Sequence, residues 1–71
     1  MHGIWLNGKA ATKVNAKRLL WGSSDRAQLY SIDGDERWIS KRFSAFTQTS
    51  PDGQGELIIE DWLYKKLFQN E

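Results

Sequence analysis

Asp33-Gly34 stands between two β-prone runs, Arg26–Ile32 and Asp35–Arg42. A type I′ turn needs positive φ at both central positions, and Asp-Gly adopts that geometry readily, so the segment predicts a β-hairpin. A two-residue loop fixes the pairing: Ile32 faces Asp35, Tyr30 faces Arg37, Leu29 faces Trp38 and Gln28 faces Ile39. A type I turn with a glycine bulge would instead set Leu29 opposite Arg37. The two-residue loop is preferred because it places apolar side chains opposite each other. Strand side chains alternate between faces. One face then carries Ala27, Leu29, Trp38 and Ser40 and reads as the core side. The other carries Gln28, Tyr30, Arg37 and Ile39, with a Tyr30–Arg37 cation–π pair worth about 0.5–1 kcal/mol if exposed.

The sequence has only 71 residues, this hairpin included, so a single small β domain is expected. A chain of this size buries only about 60–65% of its unfolded surface. It has no cysteine, so no disulfide or thiolate–metal staple can supplement the core. Four Trp, three Phe and two Tyr must then fill the core, contact a partner or close a homodimer. The cysteine-free composition fits a reducing compartment. Met1-His2-Gly3 leads into three apolar residues, too few for a secretion signal, and no apolar run approaches the ~20 residues of a membrane span. A cytoplasmic protein without a membrane partner is expected.

Upstream of the hairpin, Ile4-Trp5-Leu6 followed by Asn7-Gly8 predicts a second hairpin within residues 1–11, with a loose arm as the alternative. Trp5 is expected to cover the core. Thr12–Trp21 reads as a long strand: Val14 and Ala16 alternate with Lys13, Asn15 and Lys17. Leu19, Leu20 and Trp21 then break the alternation, which a bulge near Arg18 would reconcile. A helix over 10–20 is the competing reading, since Ala, Lys, Arg and Leu favour it, but its apolar positions fit a helical period loosely. Gly22–Asp25 is a turn. Downstream, Phe43–Thr47 alternates, Thr49–Gly55 is a loop, and Glu56–Ile59 is strongly β-prone. A helix over 61–69 follows, capped by Asp61, with Leu63, Tyr64, Leu67 and Phe68 on one face. Two turns are unstable alone, so this helix must dock on the sheet. The fold predicted is mainly β with one C-terminal helix: a small curled antiparallel sheet, or an SH3- or OB-like barrel, of four to five strands. Its expected core is Val14, Ala16, Leu20, Ala27, Leu29, Trp38, Leu57, Ile59, Leu63 and Leu67.

Charge is unevenly distributed. Residues 1–42 hold eight Lys/Arg against four acids, and residues 43–71 hold two against five. Either the halves pair internally or the first presents a basic surface to a polyanion. Catalytic motifs are lacking: there is no P-loop or dinucleotide fingerprint, and a Ser-His-Asp arrangement would need His2, the only histidine. Asp33, Asp35 and Glu36 lack the other ligands of a calcium loop. No enzymatic activity, metal or other cofactor is therefore expected. Basic residues do interleave with aromatic ones. Lys17, Arg18 and Trp21 lie along one strand, and Tyr30, Arg37, Lys41 and Arg42 lie on or just past the hairpin. Single-strand binders combine such a basic track with stacking rings, often on a barrel face.

Ser24-Asp25-Arg26-Ala27, Leu29, Asp33-Gly34, Glu36, Trp38-Ile39-Ser40-Lys41 and Glu56–Leu63 with Lys65-Lys66 together resemble a pattern found in small, mostly uncharacterised phage and prophage proteins. The resemblance spans Thr12 to Phe68. Ser40 stands where the pattern has Pro and Arg42 where it has Ser, and Ile4-Trp5-Leu6 has no counterpart. The resemblance implies a mobile-element origin and a compact β domain, without a mechanism or catalytic residue.

The expectation is a non-enzymatic accessory protein of a mobile element that binds DNA or RNA. Lys17, Arg18, Lys41 and Arg42 would contact phosphate, Trp21 or Tyr30 would stack, and Arg37 would complete the basic-aromatic face. The alternatives are a module that binds a host protein through exposed Trp5, Trp62 or Phe68, and a homodimer formed through a sheet edge.

Overall fold

A computed structural model describes residues 3–68. Six strands and one helix follow in order: β1 Ile4–Leu6, β2 Lys9–Ser23, β3 Ala27–Ile32, β4 Asp35–Ser40, β5 Ser44–Gln48, β6 Gln54–Glu60 and α1 Asp61–Phe68. The path through the sheet is β4-β3-β2-β6-β5, with β1 added beside β2, and every pairing is antiparallel. The strand reading of residues 10–20 holds, because β2 pairs with β6 without interruption from Ala11 to Lys17. The sheet has six strands rather than four or five, because the N-terminal hairpin adds β1. Both hairpin turns have positive φ at their two central residues, Asn7-Gly8 and Asp33-Gly34. Helix residue 69 lies outside the described residues.

The sheet is curled but does not close into a barrel, and its connectivity forces the curl. Lys41, Arg42 and Phe43 alone link β4 to β5, the two ends of the sheet path. Edges of a flat five-strand sheet lie about 19 Å apart, whereas three linking residues reach at most about 14 Å. The edges must therefore approach at this end, where the Glu60 N–H donates to the Phe43 carbonyl (3.1 Å) and the Ser44 hydroxyl to the Ser40 carbonyl (2.6 Å).

The curl encloses the core. Ala16, Tyr30, Ile32, Ile39, Leu57, Ile59 and Leu63 form one buried cluster, with Val14, Phe43, Phe46, Tyr64, Leu67 and Phe68 packed against it. Helix α1 supplies Leu63 and sits against β2 and β6. Asp61 is the first helical residue rather than an outlying cap, and its carboxylate accepts the Thr12 hydroxyl at 2.6 Å.

The hairpin register is the expected one, Leu29 opposite Trp38 and Tyr30 opposite Arg37, but the faces are reversed. Tyr30 and Ile39 point inward, while Trp38 is 52% exposed on the outer side. The cause is the junction with β2: Arg18 pairs with Tyr30, so β3 shares its inner face with Ala16 and Val14. Leu29 is buried on the outer side instead, beneath Gly22. Leu20 and Trp5 are also exposed rather than in the core. Leu20 sits in the irregular stretch of β2, and Trp5 on a three-residue strand at the margin.

Candidate functional site

Between Arg18 opposite Tyr30 and Ser23 opposite Gln28, the β2–β3 register breaks. Leu19, Leu20, Trp21 and Gly22 together oppose the single residue Leu29. This is the bulge that the consecutive apolar residues demand, but it is longer than one inserted residue. Gln28 fastens it from below. Its side-chain Nε2 donates to the carbonyls of Leu19 (2.8 Å), Gly22 (2.9 Å) and Leu29 (3.0 Å), and the residue itself is buried. Gly22 closes the bulge onto β3: a Cβ there would meet the Leu29 Cβ at 2.5 Å. These constraints project Leu20 and Trp21 outward, 76% and 72% exposed.

Two clefts flank the bulge. The first, 520 Å³, lies over the open seam of the curl and is lined by Arg18, Leu20, Ser23, Gln28, Tyr30, Lys41, Ser44 and Phe46. Two of these side chains are cationic and none is acidic. The second, 310 Å³, lies between the bulge and the β5–β6 loop, where Lys17, Arg18 and Trp21 face Gln48, Pro51, Asp52 and Gly53. Asp52 is the one carboxylate here. The Gln54 backbone N–H, then Ser50, hold its pKa below the usual value.

Arg18 joins the two clefts. Its backbone N–H donates to the Gly53 carbonyl (3.0 Å), its Nη2 donates to Gln48 Oε1 (3.1 Å), and its guanidinium lies 5.5 Å from the centre of the Phe46 ring. No carboxylate pairs with it among the described residues, and its buried Nε lacks a hydrogen-bond partner there. The one ion pair among the described residues is Lys13–Glu56, at 3.7 Å and half exposed, a type worth about 0–1 kcal/mol. Among the described residues the acidic half thus offsets the basic half by one ion pair and by longer-range attraction, Asp52 to Lys17 and Glu60 to Lys9.

The structure places the seven expected site residues in four different settings. Lys17, Arg18, Trp21 and Lys41 surround the bulge. Tyr30 is 5% exposed and packs on Phe46 with ring centroids 5.2 Å apart, so it cannot offer a surface stacking face. Its burial raises the phenol pKa, and Arg18 partly opposes that shift. Arg37 is half-buried and stacks on Phe68 at 4.6 Å rather than on Tyr30. Arg42 lies over Phe43; it lines one cleft with Asn7, Lys9 and Trp62 and another with Lys41, Arg26 and Asp25. Sequence reasoning missed Leu20 and Gln28 as site residues. Leu19-Leu20-Trp21 beside Gly22 carries the signal, since three consecutive apolar residues in a strand cannot all face inward.

Among the described residues no group of three or more His, Cys, Asp or Glu could hold a metal ion. No helix among them is long and apolar enough to cross a membrane. No protein-family model, curated protein or solved structure matches the chain.

Proposed function

We propose that this chain is a non-enzymatic module that binds single-stranded nucleic acid, in the role of an accessory protein of a mobile element. One observation carries the binding: an exposed Trp21–Leu20 pair, fixed by Gln28 and Gly22, stands among Lys17, Arg18 and Lys41. Single-strand binding needs a ring that bases can stack on and cations along the backbone path, and a bulge whose backbone is already held in place loses little entropy on binding. The sequence resemblance to small phage proteins supports the mobile-element role.

Titration with single- and double-stranded oligonucleotides at two salt concentrations, followed by Trp fluorescence, tests the reading. Single strands should quench the fluorescence and bind less tightly as salt rises. Trp21→Ala should weaken single-strand binding by about 1–3 kcal/mol and leave the denaturation midpoint unchanged. Absence of binding at low salt and high protein concentration would overturn the proposal.

Exposed Trp38, Trp5 and Trp62 favour a second reading, a protein-binding surface on the outer face. Oligonucleotides would then have no effect, and substitution of Trp38 rather than Trp21 would abolish capture of a host protein.

A further inference from the structure

The 520 Å³ cleft over the seam differs from the bulge surface beside it. Its volume falls in the range of about 300–1,000 Å³ usual for ligand pockets, but its lining is more polar than apolar: Arg18, Lys41, Gln28 and Ser44 stand beside Phe46, Tyr30 and Leu20.

Three features define the ligand. First, Arg18 and Lys41 bring positive charge to a lining without a carboxylate, and Arg18 has no acidic partner among the described residues. With two cations and no carboxylate in the lining, the cleft favours an anion. Second, the Gln28 side chain is 7% exposed and its Nε2 is fully engaged with the bulge carbonyls. No described residue donates to its Oε1, which leaves an acceptor for a ligand N–H. Third, Phe46 and Tyr30 line the same cleft as the cations and this acceptor. An anion joined to a flat ring that carries an N–H donor fits all three.

We infer that the seam cleft takes one nucleoside monophosphate unit, its phosphate on Arg18 and Lys41 and an amino group of its base on Gln28 Oε1. The inference rests on the nucleic-acid reading and deepens it: the strand passes over Trp21 and lowers one unstacked nucleotide into the seam.

The test is ¹⁵N NMR of the whole chain titrated with adenosine 5′-monophosphate, adenosine, inorganic phosphate and purine riboside 5′-monophosphate, which lacks the amino group. Adenosine 5′-monophosphate should shift Gln28, Lys41 and Ser44. Adenosine and phosphate should each bind at least tenfold more weakly, as should the purine riboside nucleotide. Lys41→Ala should weaken the nucleotide about tenfold, and Lys66→Ala, on the exposed side of α1, should not. An oligonucleotide that displaces the nucleotide identifies a strand as the source of the unit; a nucleotide that stays bound identifies a free nucleotide and overturns the strand path. Oligonucleotide binding with no nucleotide shifts at these residues would overturn the pocket and leave the functional proposal standing. Neither ligand binding would overturn both. Equal affinity for the two purine nucleotides would overturn the role of Gln28.

Discussion

Gly22 holds its position by the room it leaves. A methyl group there would collide with Leu29, whose Cβ and Cδ2 stand 2.5 and 2.7 Å from the added carbon. Gly22→Ala should therefore destabilise the fold by about 1–3 kcal/mol, the usual cost of overpacking, and urea denaturation would measure it. An unchanged midpoint would mean that the bulge can lift away from β3 freely. Glu60 gives a prediction of a different kind. Its buried side chain accepts from Asn7 Nδ2 at 2.9 Å and from the Trp62 indole at 2.6 Å, so one carboxylate links the N-terminal hairpin to the start of the helix. The Asn7 bond lowers its pKa most, desolvation opposes, and Trp62 and then Lys9 lower it further. A folded pKa below the unfolded one gives stability that is present above the unfolded value and lost as pH falls through the folded one. Glu60→Gln should accordingly be less stable than the parent at pH 7. The gap should close as pH drops from about 4.3, the ordinary glutamate value, through the lowered one. A gap independent of pH would rule this out.

At the scale of the elements, the bulge depends on Gln28 more than on any apolar residue. Gln28→Ala strands carbonyls of Leu19 and Gly22 that otherwise accept from it, and each buried unsatisfied group costs about 1–3 kcal/mol. Hydrogen exchange should accelerate through residues 19–23 and remain slow across the β2–β6 pairing. Uniform acceleration would show instead that Gln28 supports the whole sheet. What the sequence makes legible here is local. Asp33-Gly34 and Asn7-Gly8 set two turns, and with them the β3–β4 register, because the turn geometry is written in adjacent residues. Which face of that hairpin turns inward is not local. Leu29 and Trp38 on one face are about as apolar as Tyr30 and Ile39 on the other, and alternation treats both faces alike. The pairing of Arg18 with Tyr30 decides between them, and it depends on a bulge whose length nothing nearby in sequence specifies. The same gap explains the site residues: Tyr30 was expected at a surface that the β2 junction turns into the core, whereas Lys17, Arg18 and Trp21 are adjacent in sequence and stay together.

For the molecule as a whole, net charge is +1, so attraction to a polyanion must come from local arrangement rather than overall charge. Each phosphate contact contributes about 0.7 to the slope of log affinity against log salt for single strands. Lys17→Ala and Lys41→Ala should each lower that slope by roughly this amount, and Arg42→Ala, which lines neither of the clefts beside the bulge, should change it less. Equal losses from all three would indicate diffuse attraction without a site. Sedimentation of the unliganded chain should give a monomer; a dimer would point to a sheet edge or exposed Trp38 as its interface.

β2 begins nine residues into the chain yet is finished only by β6, near the opposite end. The β3–β4 hairpin can close on itself within about 1–10 μs, but the inner half of β2 has no neighbour to zip against until residues 54–60 exist. Pairings between distant segments are slow to form and leave strand edges open meanwhile. During synthesis, therefore, two local hairpins can stand on either side of an unpaired Val14–Ala16 edge, and the interior is assembled late, once residues 54–60 and then α1 arrive.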